Sequence, residues 1–276
     1  MLKLMYITNR PEIARIAEDA GVDWIFIDME FIGKDCRQGG LDTVQNHHTI
    51  EDIYTVKSAL TKAKILVRVN PIHGALPSYP SSQEEIDLAV KAGADILMLP
   101  FFKTIDEVQK FISYVDGRAH TCLLLETPEA ADVLERIVEL PGVDMIHIGL
   151  NDMHLALKMN FMFQLLSDGS VDKWAAIIKK NNIPFGFGGL ASLTGGLVPG
   201  NMVLKEHYRL GSQMVILSRA FCNTDRMSDL DEIRTIFTDG IRKIRRLEIK
   251  LNSTPKEVFQ QNHKDVCDIV AKIALA

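Results

Sequence analysis

The sequence predicts an α/β fold, a closed (β/α)8 barrel of the TIM type with an additional C-terminal helix. Three observations carry that expectation. Eight short apolar runs alternate with longer segments of helical period. Two of the joints, "DAGVDWIFID" and "KAGADILMLP", are near copies in which an Ala-Gly pair closes a helix just before a strand; glycine there supplies the left-handed cap. An open doubly wound sheet favours a glycine-rich phosphate turn after its first strand, and "YITNRPE" has none.

Taken in order, the predicted strands are "LKLMYIT", "DWIFID", "KILVRV", "DILMLPF", "TCLLLE", "DMIHIG", "IPFGFG" and "QMVILS". Helical periodicity covers 50–60, 83–92, 105–115, 129–140 and 171–181 between them. Ser82 precedes Glu85 at capping-box spacing, and Thr127-Pro128 puts proline at a first helical position. Past the eighth strand, 229–251 carries an apolar stripe of Ile233, Ile236, Phe237, Ile241, Ile244, Leu247 and Leu251. Thr254-Pro255-Lys256-Glu257 then reads as the capping box of one more helix, with a stripe of Phe259, Val266, Ile269, Val270 and Ile273. A barrel needs only one helix after its last strand. Residues 1–252 are therefore assigned to the barrel domain. Residues 253–276 are assigned to a helix that buries its stripe either on that barrel or on a neighbouring subunit.

Composition narrows the function. Hydrophobic residues make up 47% of the 276, enough for a large core without disulfides. The net charge of -5 offers no basic surface to nucleic acid or to an acidic membrane. Cys36, Cys122, Cys222 and Cys267 form no CxxC pair, which fits free thiols in a reducing compartment. "MLKLMYITNRPE" lacks the charged leader and long apolar core of a signal peptide. No apolar run reaches the ~18 residues of a membrane helix. The expectation is a cytoplasmic protein that acts on small molecules, with neither nucleic acid nor membrane as partner.

In a (β/α)8 barrel the active site lies at the C-terminal ends of the strands. Those ends here carry the carboxylates Asp28, Glu30, Glu126 and Asp152, the arginine Arg68, and the amides Asn70 and Asn151. Glu126 and Asp152 end adjacent strands. Two such carboxylates repel unless a cation or proton lies between them, and with water they suit a hard divalent ion. Helix capping by Asp152 and solvation of Glu126 are the alternatives. Arg68 stands amid Val67 and Val69. If it faces inward it must meet an anion, either a substrate carboxylate or Asp28 or Glu30 in a structural pair. Residues 31–49 form a long connection, of a length that usually marks a lid or binding loop. Gly39-Gly40 would hinge it, and His47 and His48 would either enter the site or lie on the surface. "GFGGLA" after the seventh strand lets backbone approach an anion. His147, inside its strand, reads as a satisfied core residue.

These motifs, in this order, resemble the HpcH/HpaI aldolase / citrate lyase family over roughly 22–221. "DWIFIDMEF" is similar to its second-strand Asp-x-Glu motif and "VRVNP" to its third-strand arginine motif. "LLLETPEAADVLERIVELPGVDMIHIG" resembles the fifth strand and the helix after it. "IGLNDMHLAL" resembles its Ile-Gly-Pro-x-Asp-Leu segment. The resemblance implies Glu126 and Asp152 as ligands of Mg²⁺ (or Mn²⁺ or Co²⁺). It implies Arg68 on the carboxylate or enolate of a pyruvate-like 2-oxo acid, with Glu30, Asn151, Gly188 and Gly189 beside the substrate. The implied chemistry is aldol- or Claisen-type carbon–carbon cleavage, with an aldehyde or acyl partner, in a homo-oligomer. The acid/base histidine of the pyruvate aldolases falls on Phe31, and its aspartate partner on Lys91. Proton transfer is therefore expected from His48, His47 or His154. Two other readings remain: an acyl-CoA lyase of the citrate or malyl-CoA type, and a barrel that binds metal and carboxylate without turnover.

Overall fold

The computed structural model describes residues 1–33 and 46–275; Cys36 and the Gly39-Gly40 hinge lie outside them. Eight parallel strands close into a barrel in chain order, β8 pairing with β1. They are β1 (Lys3–Ile7), β2 (Trp24–Asp28), β3 (Lys64–Arg68), β4 (Ile96–Leu99), β5 (His120–Leu125), β6 (Met145–Ile148), β7 (Phe185–Leu190) and β8 (Met214–Leu217). Alternation along each strand sorts side chains into two layers. Met5, Phe26, Leu66, Met98, Cys122 and Met214 fill the interior. Their neighbours, such as Ile25, Ile27, Ile65 and Val67, face the helices in a larger outer core. This alternation settles where Arg68 points, because Leu66 two residues earlier is interior.

The helices are α1 (Pro11–Ala20), α2 (Ile50–Ala59), α3 (Ser82–Ala92), α4 (Ile105–Val115), α5 (Pro128–Asp132), α6 (Leu134–Ile137), α7 (Leu150–Ala156), α8 (Gln164–Ser167), α9 (Ser170–Lys180), α10 (Gly200–Leu210), α11 (Leu230–Leu251) and α12 (Lys256–Ala274). None among the described residues is long and apolar enough to cross a membrane. The two copied joints behave as expected: Gly21 and Gly93 close α1 and α3 in the left-handed region, at φ 103° and 106°. Other local expectations shift. The capping box of α3 is Ser81 with Glu84, not Ser82 with Glu85. Ser82 accepts from the His73 N–H instead, at 2.8 Å, and Glu85 is buried against Asn70. The helix expected over 129–140 breaks at Val133 into α5 and α6. Thr254 forms no capping box, because Pro255 occupies the N-cap of α12 and makes no side-chain bond.

The last helix settles on its own chain, against α10 and α8. Val266 and Val270 are buried, with Phe259, Ile269 and Ile273 packed beside them. Glu206 of α10 is fully buried and anchors the contact. Its carboxylate accepts from Asn262 Nδ2 at 2.9 Å and Arg209 Nε at 2.8 Å, and pairs with His263 Nδ1 at 2.9 Å.

His207, also on α10, is buried and stacked on Phe187 at 3.8 Å. Burial, with the neighbouring His147, pushes its pKa down from 6.5 to about 3. The unfolded chain then binds one proton more than the folded chain between those values, so stability is lost as pH falls through that window. Between pH 6 and pH 4 the unfolding free energy of the parent should fall by about 1.4 kcal/mol per pH unit more steeply than that of His207→Gln. Urea titrations at several pH values measure both slopes. Equal slopes would count against a neutral buried His207.

Candidate active site

The register of the barrel brings the charged groups together. Asp28 lies opposite Arg68 across β2 and β3, and both point inward. Arg68 Nε and Nη2 each donate to the Asp28 carboxylate at 2.8 Å, a fork-to-fork pair. Its Nη1 stands 3.3 Å from Glu30 Oε2. Asn46 Nδ2 adds a bond to Asp28 Oδ2 at 3.0 Å. Both carboxylates are buried, and the arginine side chain is 14% exposed. Burial works against the guanidinium charge, yet Asp28 and Glu30 outweigh it and hold the pKa well above its ordinary value. The structural pair anticipated for Arg68 is therefore formed. The guanidinium has five N–H donors in all, more than its contacts to Asp28 and Glu30 engage.

Glu126 follows β5 and is 2% exposed, not solvated. Burial first, then the charges of Asp152 and Glu30, raise its pKa well above the usual carboxylate range, against the pull of Arg68. Its Oε1 accepts from the Phe101 N–H at 2.9 Å. That N–H is aimed by a residue at φ 47°, a left-handed backbone that costs a non-glycine residue about 1–3 kcal/mol. Gly149 follows β6 directly and is the N-cap of α7. A Cβ at 149 would sit 2.8 Å from Glu126 Cβ and 2.9 Å from its Oε2, so only glycine lets this helix start beside the carboxylate. Asp152 then falls in the first turn of α7, where the helix dipole favours a negative charge.

Arg68, Glu126, Asn151, Asp152, Gly188 and Gly189 line one open cavity of 190 Å³. Glu30 borders it through Arg68. The histidines expected to move protons lie elsewhere. His48 Nδ1 accepts from the Asp28 backbone N–H at 3.0 Å, and the ring lines a separate pocket with His47, Phe31 and Tyr79. His154 turns back on its own helix to the Leu150 carbonyl at 3.2 Å. Phe31 stacks edge-on against Tyr79, and Lys91 is exposed in the last turn of α3. The imidazole that does line the cavity is His147, 1% exposed. Its Nε2 meets the Gly188 carbonyl at 3.1 Å. That carbonyl only accepts, so Nε2 carries the hydrogen and Nδ1 the lone pair, and Nδ1 has no partner. Burial lowers its pKa to about 4. His147 is buried, as expected of a core residue, but it is not the satisfied one expected, because its Nδ1 faces no partner. The left-handed Phe101 left no mark in the sequence.

Removing the arginine leaves two buried carboxylates without their cation. Arg68→Met should cost about 3–5 kcal/mol of stability, read from urea unfolding. Arg68→Met with Asp28→Asn should recover part of that loss. A single variant as stable as the parent would show that the pair is not what holds β2 to β3 at the mouth.

Comparison with known proteins adds three findings. The family described as HpcH/HpaI aldolase/citrate lyase matches residues 3–162. A curated relative, the 2-keto-3-deoxy-L-rhamnonate aldolase of Shigella dysenteriae serotype 1 (strain Sd197), is 25% identical over 175 residues. That alignment spans 52% of this chain and only 58% of the relative. Among solved structures, an HpcH/HpaI aldolase/citrate lyase family protein from Burkholderia cenocepacia J2315 superposes with TM-score 0.61 at 17% identity, over 84% of this chain and 94% of that one. An HpcH/HpaI aldolase from Desulfitobacterium hafniense DCB-2 gives 0.56 at 15% identity, over 88% and 92%. At such identities the superpositions speak for the shared fold.

Proposed function

The chain belongs to the HpcH/HpaI aldolase/citrate lyase family, and from that premise we propose that it is a divalent-metal-dependent carbon–carbon lyase acting next to a 2-oxo acid. The observation that carries this reading is that Glu126, Asp152 and Arg68 line one cavity. The donor set fits Mg²⁺, or Mn²⁺ or Co²⁺. Among the described residues no cluster of three or more His, Cys, Asp or Glu is able to hold an ion. The protein thus offers two carboxylates and leaves the other positions to water and substrate oxygens, which Mg²⁺ accepts. The electrostatics agree: Asp152 and Glu30 both push the Glu126 pKa upward, and a cation between the carboxylates relieves that. It also lets an anionic substrate enter a cavity whose fixed charge is negative. When bound, such an ion supplies Lewis acidity to the 2-oxo group.

The chain's own residues do the rest. Asp28 and Glu30 lock the Arg68 guanidinium, and its remaining N–H groups hold the substrate carboxylate. Gly188 and Gly189 present backbone without side chains, and His147 Nε2–H engages the Gly188 carbonyl. Asn151, in the first turn of α7, borders the substrate. In cleavage, the C3–C4 bond of a 4-hydroxy-2-oxo acid breaks and the 4-hydroxyl gives up its proton. An aldehyde leaves, and C3 takes a proton to become the methyl of pyruvate. The positions of His48 and His154 outside the cavity favour a second reading, a barrel that binds metal and 2-oxo acid without turnover. The acyl-CoA alternative gains no supporting observation.

Exchange of pyruvate methyl protons in D₂O, followed by NMR, tests the reading. With Mg²⁺ the signal should decay, and EDTA or Asp152→Ala should slow the decay by about 10²-fold or more. Mn²⁺ affinity, read by electron paramagnetic resonance, should fall in Asp152→Ala and Glu126→Gln. Intact Mn²⁺ binding without exchange would transfer the case to the second reading. Loss of neither in the variants would remove these carboxylates from the proposal.

A further inference from the structure

The cavity has an apolar side that the charged groups leave unexplained. Closed strand order sets β1 across the barrel from β5, and β2 across from β6. Arg68 ends β3, Glu126 follows β5 and Asp152 follows β6, so the region facing all three centres on β8 and β1, with β2 beside it. Those strands offer the cavity Ile216, Ile7 and Phe26, while Met98 and Leu124, on β4 and β5, line it on the Glu126 side. No hydroxyl, amide or charged side chain from β8, β1 or β2 lines it. The polar side chains that line the cavity come from β3 and β6 and from the residues after β5 and β6, and two of them are already engaged: Arg68 with Asp28 and Glu30, and His147 with the Gly188 carbonyl.

We propose that the part of the substrate remote from its 2-oxo acid is an alkyl or aryl group. The carbonyl partner joined or released is then an apolar aldehyde rather than a polyhydroxylated, sugar-derived one. This rests on the 2-oxo acid reading above. A substrate held by its acid end between Arg68 and the Glu126–Asp152 pair extends toward the opposite wall. A methylene placed on that wall gains roughly tenfold in binding or more, and one hydroxyl placed there loses up to about 10²-fold, because it gives up water and finds no partner. In the condensing direction, C3 of pyruvate loses a proton and bonds to the aldehyde carbon, and the aldehyde oxygen takes up a proton. The product is a 4-hydroxy-2-oxo acid, and no oxidant or reductant is needed.

The test compares two pairs of probes on the full chain with Mg²⁺. Calorimetry measures 4-methyl-2-oxopentanoate against 2-oxogluconate, and NMR measures condensation of pyruvate with 3-methylbutanal against glyceraldehyde. The apolar member of each pair should win by about 30-fold or more. Ile216→Asn should shrink both ratios about tenfold, and Ile7→Thr serves if that variant melts early. Equal or reversed ratios in the parent overturn the inference. So do unchanged ratios in a folded wall variant. The layer beneath is read separately: pyruvate exchange without apolar preference sinks this inference alone, whereas absence of both exchange and 2-oxo acid binding sinks the lyase reading and this inference with it.

Discussion

A single guanidinium governs the mouth of this barrel. Arg68 reaches inward from β3 because strand alternation leaves it no other direction, and it meets Asp28 in a two-bond fork and Glu30 beside it. None of the three is tolerable alone at that depth, since a buried charge without its partner is costly. Together they join β2 to β3 at the end where the cavity opens. Asn46 and His48 brace the same Asp28 from the returning chain. The position of Arg68 over the cavity is thus a consequence of how the carboxylates are neutralised.

Around that fixed point the other groups are set by backbone rather than by side-chain choice. Glu126 is held by the N–H of Phe101, whose left-handed conformation turns the peptide toward it. The start of α7 approaches Glu126 so closely that position 149 admits no side chain. Strain and tight approach of this kind persist where the surrounding structure enforces them. Here the surround is a barrel whose interior layer is apolar and densely filled.

Much of this was legible in the sequence. The eight strands follow from apolar runs alternating with helical period, two of them announced by an Ala-Gly stop, and the inward aim of Arg68 follows from period two. The order of Asp28, Glu30, Arg68, Glu126 and Asp152 along successive strand ends already implied one mouth, because parallel strands in a closed barrel end on one face. What stayed hidden has physical causes. Ser81 and Ser82 present the same residue type one position apart, so spacing could not say which caps α3. Val133 breaks a helix without a proline or glycine to announce it. His48 and His154 have the right chemistry, but where a ring points depends on tertiary contacts that a one-dimensional pattern does not contain. Phe101 adopts a conformation rare for its residue type, and rarity of that kind is invisible before the fold exists.

The seat of α12 has a practical meaning. This helix is clasped by a carboxylate, Glu206, that lies wholly inside the protein and shares its bonds among Asn262, His263 and Arg209. A chain shortened before α12 would not merely lose a peripheral element. It would open the floor under α10 to water and strand a negative charge that had been shared. Truncation ahead of α12 is therefore a change to the packing of the barrel's own helices, felt first at the buried carboxylate of Glu206.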